Sequence, residues 1–122
     1  MKNLMKRVLL SSALAASTLL PTDAASKTTY YGSASFTTSV TDSLASNTAS
    51  AGTGAFSYLK VTVYGYNSST NSIVYAGTRD YSNLYVELSK SSCVGISYFS
   101  YAVGNATING TYCSSGMVLN RY

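Results

Sequence analysis

The chain has 122 residues, with no His, no Trp, two Cys and 12 Tyr, and a formal net charge of +4. That length suits one domain, and the lack of His removes the usual general base beside a Ser or Cys nucleophile and the commonest zinc ligand. From residue 25 onward only Lys27, Lys60, Arg79, Lys90 and Arg121 stand against Asp42, Asp80 and Glu87, a balance of +2 with no basic run, which argues against a nucleic-acid partner.

Residues 1–7 carry Lys2, Lys6 and Arg7, and residues 8–20, VLLSSALAASTLL, form an uncharged run of 13 that Pro21 ends. A basic start, a short apolar stretch and small residues beyond it are the plan of a secretory signal peptide, too short to span a bilayer. The reading is a signal peptide over 1–24, cleaved after Ala24 or Ser26, and a single all-β domain over 27–122. The product is then secreted, extracellular or surface-associated, with no transmembrane segment in the mature chain.

Within the domain, residues 33–41 place Ala34, Phe36, Thr38 and Val40 on one side of a first strand. Residues 42–54, rich in Ser, Ala, Thr and Gly, read as a loop with at most a short strand around Leu44. Residues 55–66 make the clearest strand: Leu59, Val61 and Val63 alternate with Tyr58, Lys60, Thr62, Tyr64 and Tyr66, the period of two that separates a buried from a wetter face. NSSTN at 67–71 is a turn, 72–76 a short strand, 77–80 a second turn. Residues 83–89 alternate Leu84, Val86 and Leu88 with Tyr85 and Glu87, and 90–92 turn the chain into a strand over 93–103. A final strand runs through 117–122. No helical period follows the signal, so the expected fold is a small antiparallel β-sandwich of six or seven strands.

Cys93 and Cys113 are the only cysteines, and in a secreted chain of this size a disulfide is the expected state. Gly104-Asn105 has the Gly-first pattern of a II′ hairpin turn. A two-residue turn there leaves the cysteines three positions out of register, so the bridge needs a bulge near Asn109-Gly110 or a cross-sheet geometry.

Few groups remain for catalysis, and the expectation is no enzyme, no cofactor and no metal. Tyr58, Tyr64 and Tyr66 share one face of the best strand, and Tyr85 sits on the outer face of another. Neighbouring strands would turn these rings into a cross-strand ladder with hydroxyls toward water. Such a tyrosine face suits binding a cell-surface glycan, a cell-wall polymer or a protein. The alternatives are an antimicrobial or toxin-like protein, permitted by small size and mild positive charge, and a surface structural protein that self-associates through strand edges. In composition and signal the whole chain resembles small uncharacterised secreted proteins of Gram-positive bacteria that are rich in Ser, Thr and Tyr. That resemblance implies secretion and no particular activity.

Overall fold

The computed structural model describes residues 25–50, 56–81 and 84–120. The expected signal peptide, 1–24, lies outside the described residues. The strands are β1 (Ala25–Tyr31), β2 (Ala34–Val40), β3 (Leu44–Ala49), β4 (Phe56–Asn67), β5 (Ser72–Tyr81), β6 (Tyr85–Ser89), β7 (Tyr98–Ile108) and β8 (Thr111–Leu119). They form two four-stranded sheets, ordered β1-β2-β3-β6 and β5-β4-β7-β8, with every neighbouring pair antiparallel. Among the described residues no helix is long and apolar enough to cross a membrane.

Among the described residues there are eight strands where six or seven were expected. β1 reads ASKTTYY and carries no apolar alternation, because it is an edge strand with little of its surface in the core. Its Thr and Tyr suit a pleated surface, and Gly32 at φ +62° closes a two-residue turn that aligns Tyr31 with Ala34. β3 turns small residues inward: Ala45 and Asn47 are fully buried. Side chains that short leave no hydrophobic signature in the sequence.

The turns also differ from expectation in two places. Gly104-Asn105 lies mid-strand in β7, and the β7–β8 hairpin turns at Asn109-Gly110, where Ile108 faces Thr111. Both turn residues have positive φ, +50° and +81°, as a type I′ turn demands. Residues 77–80, expected to turn, continue β5, which absorbs Ala76 as a bulge between the Val63–Gly77 and Tyr64–Tyr75 pairs. The turn at 67–71 forms as expected: Asn67 Oδ1 accepts from the amides of Ser69 (2.8 Å) and Thr70 (3.3 Å), and Asn71 adopts φ +56°. At 90–92 the expected turn is a short 3-10 turn whose N-cap, Ser89, accepts from the Ser91 amide.

The expected disulfide is absent, and Cys93 and Cys113 are free thiols. Cys93 Sγ stands 3.7 Å from where a Cβ on Gly77 of β5 would lie, while Cys113 is on β8, opposite Ala106. β5 and β8 are the two edges of one four-stranded sheet. Three inter-strand spacings separate them, about 14 Å, whereas a disulfide needs Cα atoms within about 7 Å.

Both sheets contribute to one core, with Phe36 and Val40 from β2, Leu59, Val61 and Val63 from β4, and Phe99 and Ile108 from β7 fully buried. Each such side chain stabilises the fold by about 1.5–3 kcal/mol relative to exposure. The core also holds polar groups. Asn47 Nδ2 donates to the carbonyls of Lys60 (3.1 Å) and Asn105 (3.0 Å), which face each other across β4 and β7, and Asn47 Oδ1 accepts from Thr38 Oγ1 at 3.4 Å. One buried amide therefore ties the first sheet to both central strands of the second. Gly104 makes room for this contact: a Cβ there would stand 1.8 Å from Thr38 Oγ1 and 3.1 Å from Asn47 Nδ2. A bulge on β8 follows, where Ser115 Oγ accepts from the Gly104 amide at 2.9 Å and Gly116 takes φ +71°.

Candidate functional site: a tyrosine-lined sheet face

With Leu59, Val61 and Val63 in the core, the intervening residues of β4 must point away from it. Tyr58, Lys60, Thr62, Tyr64 and Tyr66 are accordingly half-buried on the outer face of the β5-β4-β7-β8 sheet. Register then supplies their neighbours. Tyr64 faces Tyr75 of β5 on one side and Tyr101 of β7 on the other, and Tyr101 in turn faces Leu119 of β8. One row therefore reads Tyr75–Tyr64–Tyr101–Leu119 across the whole sheet. The next row places Ile73 and Tyr98 on either side of Tyr66.

Ring geometry decides what this face presents. Tyr64 and Tyr101 stack at 4.6 Å between centroids with 13° between planes, and Tyr66 and Tyr98 at 5.2 Å and 9°. Tyr75 meets Tyr64 edge-on, at 5.8 Å and 73°. Each stacked ring uses one face on its partner, and Tyr75 closes part of the other side of Tyr64. Tyr66 donates its hydroxyl proton to Asn71 Oδ1, and Tyr75 and Thr78 share a 2.7 Å hydroxyl contact. Around the rings, Ile73, Tyr75, Tyr112, Met117 and Leu119 are 44–58% exposed. The apolar surface is thus nearly continuous from β5 to β8.

Charge enters at one end. Lys60 and Asp80 are cross-strand neighbours, Tyr58 donates its hydroxyl to Asp80 Oδ2 at 3.1 Å, and the Lys60 ammonium lies 5.8 Å from the centre of the Tyr112 ring. Burial and the Asp80 carboxylate hold the Tyr58 phenol above its ordinary ionisation range. Desolvation and the neighbouring Tyr64 do the same for Tyr101. Lys60 is raised by the Tyr112 hydroxyl, so the ammonium is firmly retained at neutral pH.

Of the residues expected to form the site, Tyr64 and Tyr66 stand in adjoining rows, Tyr58 shares their face but lies toward the other end of β4 beside Lys60 and Asp80, and Tyr85 is not on this sheet. Tyr85 lies on β6, in the other sheet, where it ends a row of threonines running Thr28–Thr37–Thr48–Tyr85. Its hydroxyl donates to Glu87 Oε1 at 2.5 Å, a bond that raises its ionisation range. That second outer face is hydroxyl-rich, with Thr28 and Thr37 in side-chain contact at 2.9 Å. Tyr75, Tyr98, Tyr101 and Leu119 are the site residues that sequence reasoning passed over. Tyr98 and Tyr101 are three residues apart, so strict alternation puts them on opposite faces; an irregularity at Ser100 brings both onto the face of Tyr64 and Tyr66, and nothing local shows that or that their strands flank β4.

Among the described residues the carboxylates do not assemble into a pair. Asp80 accepts from Tyr58 on one sheet, Glu87 from Tyr85 on the other, and Asp42 accepts from Asn120 Nδ2 at 2.9 Å. Among the described residues there is no group of three or more His, Cys, Asp or Glu that could hold a metal ion. Comparison with protein-family models, with curated proteins and with solved structures found no match, and the functional reading rests on the chemistry of the face itself.

Proposed function

We propose that the chain is a secreted, noncatalytic β-sandwich domain that binds a protein partner through the outer face of β5-β4-β7-β8. The carrying observation is the stacking of Tyr64 on Tyr101 and Tyr66 on Tyr98. A glycan or cell-wall polymer is held on aromatic platforms by ring faces, and each of these four rings spends one face on its partner, with Tyr64 also met edge-on by Tyr75. Around them stand Ile73, Met117 and Leu119, with Lys60 and Asp80 the cross-strand charges. Tyr and Met enrichment with few charges is the composition of protein-interface cores, and a contiguous exposed apolar face marks an interaction surface.

The test is binding of the purified chain to cell surfaces before and after protease treatment, alongside isolated cell-wall polymer and a glycan array. Loss of binding after protease, and in a Tyr64→Ala plus Tyr66→Ala variant, is expected. Retention on purified polymer or glycan would overturn the choice of partner, and unchanged binding by the double variant would overturn the site.

Self-association through a strand edge is a second reading, favoured by β1. It pairs with β2 without a bulge over Ala25–Tyr31 and carries a single charge, Lys27, so its edge is guarded mainly by its approach to β8, where Tyr31 donates its hydroxyl to Thr111 Oγ1. A concentration-independent monomeric elution profile would remove that reading.

A further inference from the structure

We propose that Tyr64 and Tyr101 are a site of oxidative phenol coupling, joined ortho carbon to ortho carbon when a peroxide-driven oxidant of the peroxidase class reaches the sheet face. The inference is independent of what binds there. It begins with which side chains can lose an electron: the chain has no Trp and no His, leaving tyrosine as its readily oxidised aromatic. Tyr75 is 58% exposed, so an outside oxidant can reach it, and it touches Tyr64 edge-on at 5.8 Å. Tyr64 then stacks on Tyr101 at 4.6 Å and 13°. An exposed ring, a relay and a closely apposed partner stand in one row, held by the register of β5, β4 and β7. The Tyr66–Tyr98 pair is wider, at 5.2 Å, and its row places Ile73 where the first row has Tyr75.

The chemistry balances. Each phenol gives up one electron and its hydroxyl proton, and the two phenoxyl radicals form one carbon–carbon bond between ortho positions. The two ring hydrogens at those positions move to the phenolic oxygens as the rings regain aromaticity. The protein loses two hydrogens in all, and one hydrogen peroxide takes them up to leave two waters. The product would staple the two central strands of the sheet, which the separated cysteines cannot do.

The experiment treats the folded chain, with thiols blocked, with a haem peroxidase and stoichiometric hydrogen peroxide. The expected product is monomeric on a denaturing gel, lighter by two hydrogens, fluorescent in the blue, and yields a cross-linked peptide joining Tyr64 to Tyr101. Its melting temperature should rise by several degrees. Tyr101→Phe keeps the stacked ring but should lose this product, whereas Tyr66→Phe should keep it. Prior unfolding in urea should scatter the coupling over other tyrosines. Coupling found only between molecules, an unchanged monomeric product in Tyr101→Phe, or a bond mapped to Tyr66 and Tyr98 would each overturn the assignment.

Discussion

Asn47 is fully buried on β3, and its amide nitrogen donates to the Lys60 and Asn105 carbonyls of the opposite sheet at 3.1 and 3.0 Å. Asn47→Leu keeps a side chain branched at Cγ but removes both donors and the acceptor for Thr38. A buried polar group deprived of its partner costs about 1–3 kcal/mol, so with part of the carbonyls' capacity met elsewhere the variant should lose about 2–4 kcal/mol. Against a total of about 5–10 kcal/mol for a domain of this size, that is a large fraction. It corresponds to a fall in melting temperature of roughly 10–25 °C and in urea midpoint of about 1–3 M. With no Trp present, far-ultraviolet circular dichroism and tyrosine fluorescence are the signals to follow. Asn47→Asp sharpens the test, because a carboxylate aimed at two carbonyls has its folded-state pKa raised. Stability is then best below about pH 4, the unfolded value, and is lost as pH rises through the folded value. An Asn47→Leu midpoint equal to the wild-type one, or an Asn47→Asp variant more stable at neutral than at acid pH, would refute the view that this amide joins the sheets.

Gly104→Ala places a Cβ 1.8 Å from the fully buried Thr38 Oγ1 and should cost about 3 kcal/mol or more, read as loss of soluble folded protein or a sharply lower melting temperature. Thiol titration of the unfolded chain should count two free groups. In the folded state Cys113 should react well before Cys93, which is buried and whose thiol is pushed up by desolvation, and a reducing agent should leave the melting temperature unchanged. Tyr101→Ala should destabilise by about 1–3 kcal/mol through lost stacking and burial in urea titration, and Tyr101→Phe by much less. Tyr58, Tyr85 and Tyr101 are all raised from an ordinary 10.0. Their contribution is whole below that pH and is lost as pH rises through the folded values, so absorbance at the phenolate band should lag behind that of the unfolded chain, and the tyrosines' share of any fall in melting temperature should begin only once pH passes 10.0, after that of the Cys93 thiol, raised from 9.0.

β4 was legible from its own residues: Leu59, Val61 and Val63 alternate with the tyrosines, and the structure buries the first set and turns the second outward. The Asn67–Asn71 turn was equally plain, because Asn67 satisfies amides within its own neighbourhood. β3 was not, since its inward residues are Ala45, Asn47 and Ala49, and an asparagine becomes a core residue only when carbonyls from another sheet receive it. The β7–β8 hairpin offered two candidate turns, Gly104-Asn105 and Asn109-Gly110. Asn-Gly is the better local match, since both of its residues accept the positive φ of a type I′ turn, yet the earlier Gly-first pair competed with it. The second is selected by the continuation of β7 beside β4 through Ile108 and by the close approach of Thr38 to Gly104.

By itself the amino-acid sequence determined the all-β character and the outward face of Tyr58, Tyr64 and Tyr66, because period-two side-chain direction and turn chemistry are properties of a few consecutive residues. Only the tertiary structure decided that Tyr64 stacks on Tyr101 and Tyr66 on Tyr98, that Tyr85 belongs to the other sheet, and that Cys93 and Cys113 stay apart. Strand order and register are set by contacts between segments tens of residues apart, and a slip of one residue would exchange the two faces of a strand.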